Sequence, residues 1–134
     1  MSKFLIQLHD KGRCRIQHEF ADAEIITDLP PEYGGSGRSF SSTDLVSAAL
    51  GSCILSTIDR VFEREGHDPM KIRISVAKTL SDKPKMIHSI SLKIVYPEKL
   101  SDLFLRKVKR TMALCPVKRS LSEQVEITTQ FITG

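Results

Sequence analysis

Residues 43 to about 65 read as one long helix, and this helix limits the fold more than any other stretch. Ser41 and Asp44 stand in capping-box spacing at its start, and Gly66 supplies its stop. Through Ile58 the apolar positions, Leu45, Val46, Leu50, Cys53, Ile54 and Leu55 among them, run nearly all round the helix. The gaps hold only small residues: Ser47, Gly51, Ser52, Ser56 and Thr57. A helix apolar on all sides must be buried on all sides. At 134 residues the chain predicts one domain, 1–134, and one small domain with a single sheet covers only one face of such a helix. The other face is expected to meet a second copy of the chain, as a homodimer.

The flanking segments supply the sheet. Residues 3–8, 13–20 and 22–27 read as short strands, with a tight turn at "HDKG" between the first two. Alternation in the second strand puts Cys14, Ile16 and His18 on one face and Arg13, Arg15 and Gln17 on the other, so Cys14 is expected in the core. "DLPPEYGGSGRSFSS" is a loop by composition. "MKIRISVAK" and "HSISLKIVY" alternate strictly and are joined by "TLSDKPKM", which predicts a hairpin with one wet face on each strand, as in an antiparallel sheet. Residues 101–114 form an amphipathic helix whose stripe is Leu105, Val108, Met112 and then Cys115. Its outer face carries Arg106, Lys107, Lys109 and Arg110, read as a solvated face. Pro116 opens a second short helix, and "QVEITTQFI" closes the chain as a strand with Val125, Ile127 and Phe131 inward. The order of elements is that of an α+β protein.

Composition narrows the function. A charged fraction of 27%, a net charge of +4 and no tryptophan give no basic, aromatic-interleaved surface, so nucleic-acid binding is not expected. The apolar patch in "MSKFLIQLHDKG" is broken by charge too early for a signal peptide or a membrane span, and the expected location is the cytoplasm, with no membrane partner. There cysteines stay reduced. The three of them, Cys14, Cys53 and Cys115, are odd in number and widely spaced, which argues against a disulfide framework and against zinc. His9, His18, His67 and His88 show no ligand spacing, and "GGSGRS" lacks the ending of a phosphate loop, so neither a metal nor a cofactor is expected.

Two thiols have chemically suggestive settings. Cys115, in "LCPVKRSL", precedes the short helix, where free backbone N–H groups and the helix dipole favour a thiolate. Lys118 and Arg119 add positive charge there. Cys53, in "ALGSCILS", lies inside the apolar helix, where burial alone raises a thiol's pKa. To ionise it needs a cation, and the candidates are Arg13, Arg15 and Arg38.

"DLVSAALGSCILSTIDRVFEREG" followed by "CPVKRSLSEQVEI", with "DLPPEYGGSG" before the helix, resembles the OsmC/Ohr family of thiol peroxidases over nearly the whole chain. The resemblance implies an OsmC-like fold, in which antiparallel sheets wrap a long central helix and two chains intertwine as a homodimer. It also implies a substrate class, organic hydroperoxides. Cys53 would attack the O–O bond and become a sulfenic acid, Cys115 would condense with it to a disulfide, and a dithiol of the lipoyl type would restore the pair. Arg13 best matches the position of the family's activating arginine.

One departure bears on activity. The family's hydroperoxide-resistance branches carry a glutamate ten residues before the first cysteine, where this chain has Thr43; its acid, Asp44, comes one residue later. Asp44 either takes that glutamate's part or only caps the helix. The alternative function is accordingly an OsmC-fold protein that binds a hydrophobic small molecule or a thiol without significant turnover.

Overall fold

Gly12 turns the chain with φ of +72°, a left-handed conformation that suits glycine. It folds β1 (Phe4–Asp10) back on β2 (Arg13–His18) in the computed structural model, which describes Met1–Gly134. β3 (Glu24–Asp28) completes an antiparallel sheet of order β1-β2-β3. The chain divides into two compact units, Met1–Val46 and Ser47–Gly134, and this sheet belongs to the first.

That sheet has no apolar core of its own. Every residue of β1 is exposed, and no apolar residue before Leu50 is buried. Cys14, expected in the core, is only half-buried between Leu8 and Thr27, like every residue of β2. Burial does not separate the two faces of β2, so the core position expected for Cys14 is not found.

What is buried here is polar. Asp28, 1% exposed, accepts the backbone N–H groups of Ser36 and Arg38, each at 3.0 Å, and Arg13 Nε lies 3.6 Å from its Oδ2. The N–H donors of Arg38 and Ser36, helped by the Arg13 guanidinium, outweigh burial and hold its carboxyl below the usual range. Asp28 thus folds the glycine-rich loop onto the end of β3. Gly35 is required in that loop, because a Cβ there would meet the Leu29 carbonyl oxygen and Asp28 Oδ1.

α1 (Ser42–Arg64) starts in the first unit and runs into the second. Its start is a reciprocal capping box: Ser41 N–H donates to Asp44 Oδ2 at 3.0 Å and Asp44 N–H to Ser41 Oγ at 3.1 Å. Gly66, at φ +81°, ends it as expected.

In the second unit β4 (Arg73–Asp82) and β5 (Lys85–Tyr96) form the expected hairpin, longer than expected, with only Lys83 and Pro84 between the strands. Met70, read as strand, falls in a 3-10 turn over Pro69–Lys71, capped by the Asp68 carboxylate. β6 (Glu126–Thr133) adds to β5 in parallel, because the chain first crosses over through α2 (Asp102–Met112) and α3 (Pro116–Leu121). The molecule has two three-stranded sheets, where chain length alone suggested one and the family resemblance implied more than one.

Leu50, Ile54, Ile58 and Phe62 of α1 share one core with Ile90, Leu92 and Ile94 of β5 and with Phe104, Val108 and Met112 of α2. Burying each such side chain stabilises the fold by roughly 1.5–3 kcal/mol. The α2 stripe is led by Phe104 rather than Leu105, which is only partly buried, and Phe104 stacks edge-on against Phe62 at 5.0 Å between ring centroids. Gly51 lets α1 lie against β4, since a Cβ there would stand 2.8 Å from Val76 Cγ2. α1 is long and apolar enough to cross a membrane, but its Leu50, Ile54 and Ile58 are fully enclosed in this core. The helix is not covered all round: Val46, Ala48, Ala49, Ser52 and Ser56 are exposed.

Candidate active site

The fold closes a gap of 62 residues to put Cys115 Sγ 2.8 Å from Cys53 Sγ, with the Cys115 thiol as donor. Cys53 projects from the fourth turn of α1. Cys115 is the N-cap residue of α3; its sulfur accepts the Lys118 N–H at 3.4 Å, and Pro116 fixes the first helical position. The Cys115 side chain is fully enclosed, whereas Cys53 is half-buried. The sulfurs need to approach by only roughly 0.8 Å more to reach disulfide bonding distance.

The two thiols are unlike in acidity, in the reverse of the order expected from helix position. Burial pushes Cys53 up, but hydrogen bonds from the Cys115 thiol, the Val117 backbone N–H and the Thr57 hydroxyl overcome it, and its pKa falls below the ordinary thiol range. Thr57 spends its one proton mainly on the Cys53 carbonyl, 2.6 Å away, so the thiol and the N–H matter more. Burial also raises Cys115, and there the neighbouring Cys53 adds to the rise, outweighing the Lys118 and Val117 N–H groups. Cys53 is thus the more acidic of the pair, and Cys115 is the thiol that donates to it. Alkylation of Cys53 by iodoacetamide, mapped by mass, should rise with pH through a midpoint below the ordinary thiol range, since the thiolate exists above its pKa. Cys115→Ala removes the donor and should move that midpoint upward. An unmoved midpoint would show that the thiol–thiol hydrogen bond does not set it.

The other predicted residues are placed as follows. Arg13 is paired with Asp28; Arg15 lies 3.2 Å from Glu24 through Nε and 3.2 Å from His9 Nδ1 through Nη2. Arg38 reaches Asp28 through its backbone N–H, and Asp44 occupies the capping box. The hydrogen bonds to Cys53 act in the same direction as the expected cation, lowering its pKa. Thr57 and Val117 were missed as hydrogen-bond partners of Cys53, and Asp28 as the anchor of the glycine-rich loop. Thr57 carried a signal, standing four residues after Cys53 on the same helix face. No three His, Cys, Asp or Glu side chains cluster closely enough to hold a metal ion.

An α+β fold that brings two thiols into contact across two helices defines the class of protein, and comparison with known proteins gives its family. Residues 35–130 match the family model of the OsmC-like proteins, and the chain belongs to that family. The match spans both units. A Psychrobacter arcticus 273-4 protein with a provisional osmotic-stress-induced, detoxification-response description superposes with a TM-score of 0.91 at 25% identity, covering 98% of this chain and 96% of that one. The organic hydroperoxide resistance protein OsmC of Legionella pneumophila gives 0.76 at 15% identity, with 96% of each chain covered. An organic hydroperoxide resistance protein of Elizabethkingia anophelis gives 0.79 at 10% identity, covering 100% and 96%. These last two share the fold. Among curated protein sequences, none is significantly similar to this chain.

Proposed function

We propose that this protein is a cysteine-based peroxidase that reduces organic hydroperoxides. The observation that carries the reading is the 2.8 Å hydrogen bond from the Cys115 thiol to Cys53 Sγ. The Cys53 thiolate attacks the terminal oxygen of the hydroperoxide; the O–O bond breaks, the alcohol leaves after taking a proton, and Cys53 becomes a sulfenic acid. Oxidation removes the negative charge on Cys53, and with it the two contributions from Cys53 that raise Cys115. Cys115 then ionises more readily, attacks the Cys53 sulfur and displaces hydroxide, which leaves as water. Two thiols and one hydroperoxide give one disulfide, one alcohol and one water. A dithiol of the lipoyl type returns the pair to its reduced state.

Support for the hydroperoxide comes from the family and from the resistance proteins that share the fold. The family position of Arg13 gives it the part of an activating cation, adding to the hydrogen bonds at Cys53. Asp44 keeps its capping role and in this reading is not required for chemistry. The test is consumption of cumene hydroperoxide with dihydrolipoamide as reductant. Steady consumption that needs both cysteines supports the reading. Tight binding of an apolar peroxide or thiol without consumption would leave only a binding protein of the same fold.

The reading includes a cytoplasmic homodimer. Phe4, Ile6 and Leu8 of β1 are 57%, 60% and 77% exposed, and α1 leaves Val46 and Ala49 uncovered. Apolar area of this extent on one chain is what a second copy would cover. Sedimentation should give a dimer at micromolar concentration. Ala49→Glu should dissociate it, since a buried unpaired charge costs about 3–5 kcal/mol. Leu50 is no substitute target, because it is enclosed in the chain's own core. A wild-type monomer that stays folded would refute the dimer.

A further inference from the structure

We infer that the reductant attacks the Cys53 sulfur of the disulfide, and that Cys115 is always the leaving thiol. The inference deepens the peroxidase reading and takes its meaning from it, but it stands on the placement of the two sulfurs.

Thiol–disulfide exchange needs the attacking thiolate in line with the S–S bond, on the far side of the sulfur it attacks. Cys115 is fully enclosed, in one core with Met112 and Val125. Its sulfur is bonded on one side by the Lys118 N–H and faces Cys53 on the other. Cys53 is half-buried, and its neighbours Ala49, Ser52 and Ser56 along α1 are exposed and small. A thiol arriving from solvent meets Cys53 first.

Leaving-group chemistry pulls the other way. Cys53 is the more acidic thiol and would leave faster, which favours attack on Cys115. The size of that preference is modest, on the order of half a decade in rate per pKa unit if the leaving group responds as the nucleophile does. Reaching Cys115 means opening the core around it, and such openings are populated on the order of 10⁻³ or less. Access therefore decides. Once displaced, Cys115 still has the Lys118 N–H to stabilise the departing thiolate. A second subunit over the α1 face would narrow the approach to Cys53 without exposing Cys115, so the order of access is unchanged.

The full exchange balances as follows. One thiolate of the dithiol bonds to Cys53 Sγ, the Cys53–Cys115 bond breaks, and Cys115 leaves with the electron pair and takes a proton. The dithiol's second thiolate attacks its own first sulfur, forms the cyclic disulfide and releases the Cys53 thiolate. Peroxide meets this sulfur in its reduced form and the reductant meets it in the disulfide, so turnover should be ping-pong.

The test uses Cys14→Ser protein oxidised with diamide, so that no peroxide chemistry is assumed. The disulfide form is mixed briefly with 2-mercaptoethanol, quenched in acid, alkylated with N-ethylmaleimide and mapped by mass. The adduct should lie on Cys53 and the maleimide on Cys115, by at least tenfold. In parallel, reduced Cys14→Ser/Cys53→Ser protein should react with Ellman's reagent at least 100-fold more slowly than Cys14→Ser/Cys115→Ser protein. Adducts on Cys115, equal labelling rates, or no disulfide with diamide would each overturn the inference. Adducts on Cys115 would leave the peroxidase reading intact, whereas thiols that ignore peroxide but place the adduct on Cys53 would remove that reading alone.

Discussion

Cys53→Ser should abolish the rapid reaction with cumene hydroperoxide, while Cys115→Ser should react once and then stall. The difference follows from the placement of the two sulfurs. With Cys53 gone, the remaining thiol is enclosed and raised in pKa by burial, so it is both inaccessible and protonated at neutral pH. The loss should be several orders of magnitude in the second-order rate constant, measured by stopped-flow. With Cys115 replaced, Cys53 still lies half-exposed and still receives the Val117 N–H, and the serine hydroxyl can donate in place of the thiol. It should form a sulfenic acid that a dimedone-type probe traps in near-stoichiometric yield. Nothing then condenses with that species, so excess peroxide should carry it to the sulfinic acid, read as a gain of two oxygens at the Cys53 peptide. Cys14→Ser should turn over like wild type, since Cys14 lies in β2 and takes no part in the Cys53–Cys115 contact. Equal single-turnover reactivity of both mutants would show that the pair has no division of labour.

Oxidation should also change stability by a large amount. A bond between Cys53 and Cys115 closes a loop of 62 residues, and the loop-entropy model gives roughly 4 kcal/mol of stabilisation for a loop of that length. Strain should take little of this back, since the reduced sulfurs already lie 2.8 Å apart. The urea midpoint of the diamide-oxidised protein, compared with the reduced protein at one protein concentration, should rise accordingly, and Cys115→Ser should lose the whole difference. Midpoints that coincide would mean the bond forms only in a distorted native state.

Much of this arrangement was legible in the chain itself, and the exceptions share a cause. The long helix, its capping box at Ser41 and Asp44, its stop at Gly66 and the short helix after Cys115 are set by neighbours a few residues away, and local patterns report them. The parallel placement of β6 depends on a crossover through α2 and α3, which alternation within a strand does not record. The two-sheet division was carried by the family resemblance and not by the strands themselves, because each strand carries its own alternation but not the identity of its partner. The α2 stripe was misread at Leu105 because Phe104 is recruited by Phe62 and His67, residues far away in the chain.

At the site, the sequence put forward both thiols, but local helix position alone does not give the order of their acidities. Helix position favoured Cys115, a real effect that appears as the Lys118 and Val117 N–H groups lowering its pKa. What outweighs it is burial and the second sulfur, and both arise only when residues 53 and 115 meet. Asp28 went unrecognised for a similar reason. A lone Asp before Leu-Pro-Pro reads as a turn residue, and its bonds to Ser36, Arg38 and Arg13 exist only once the loop closes.

The most direct test is a titration of fully reduced wild-type protein with cumene hydroperoxide, counting free thiols and mapping any disulfide by mass. One equivalent of peroxide should consume two of the three thiols, leave Cys14 free and yield a single intrachain Cys53–Cys115 link that a dithiol reverses. Three thiols still free after stoichiometric peroxide would contradict the peroxidase assignment.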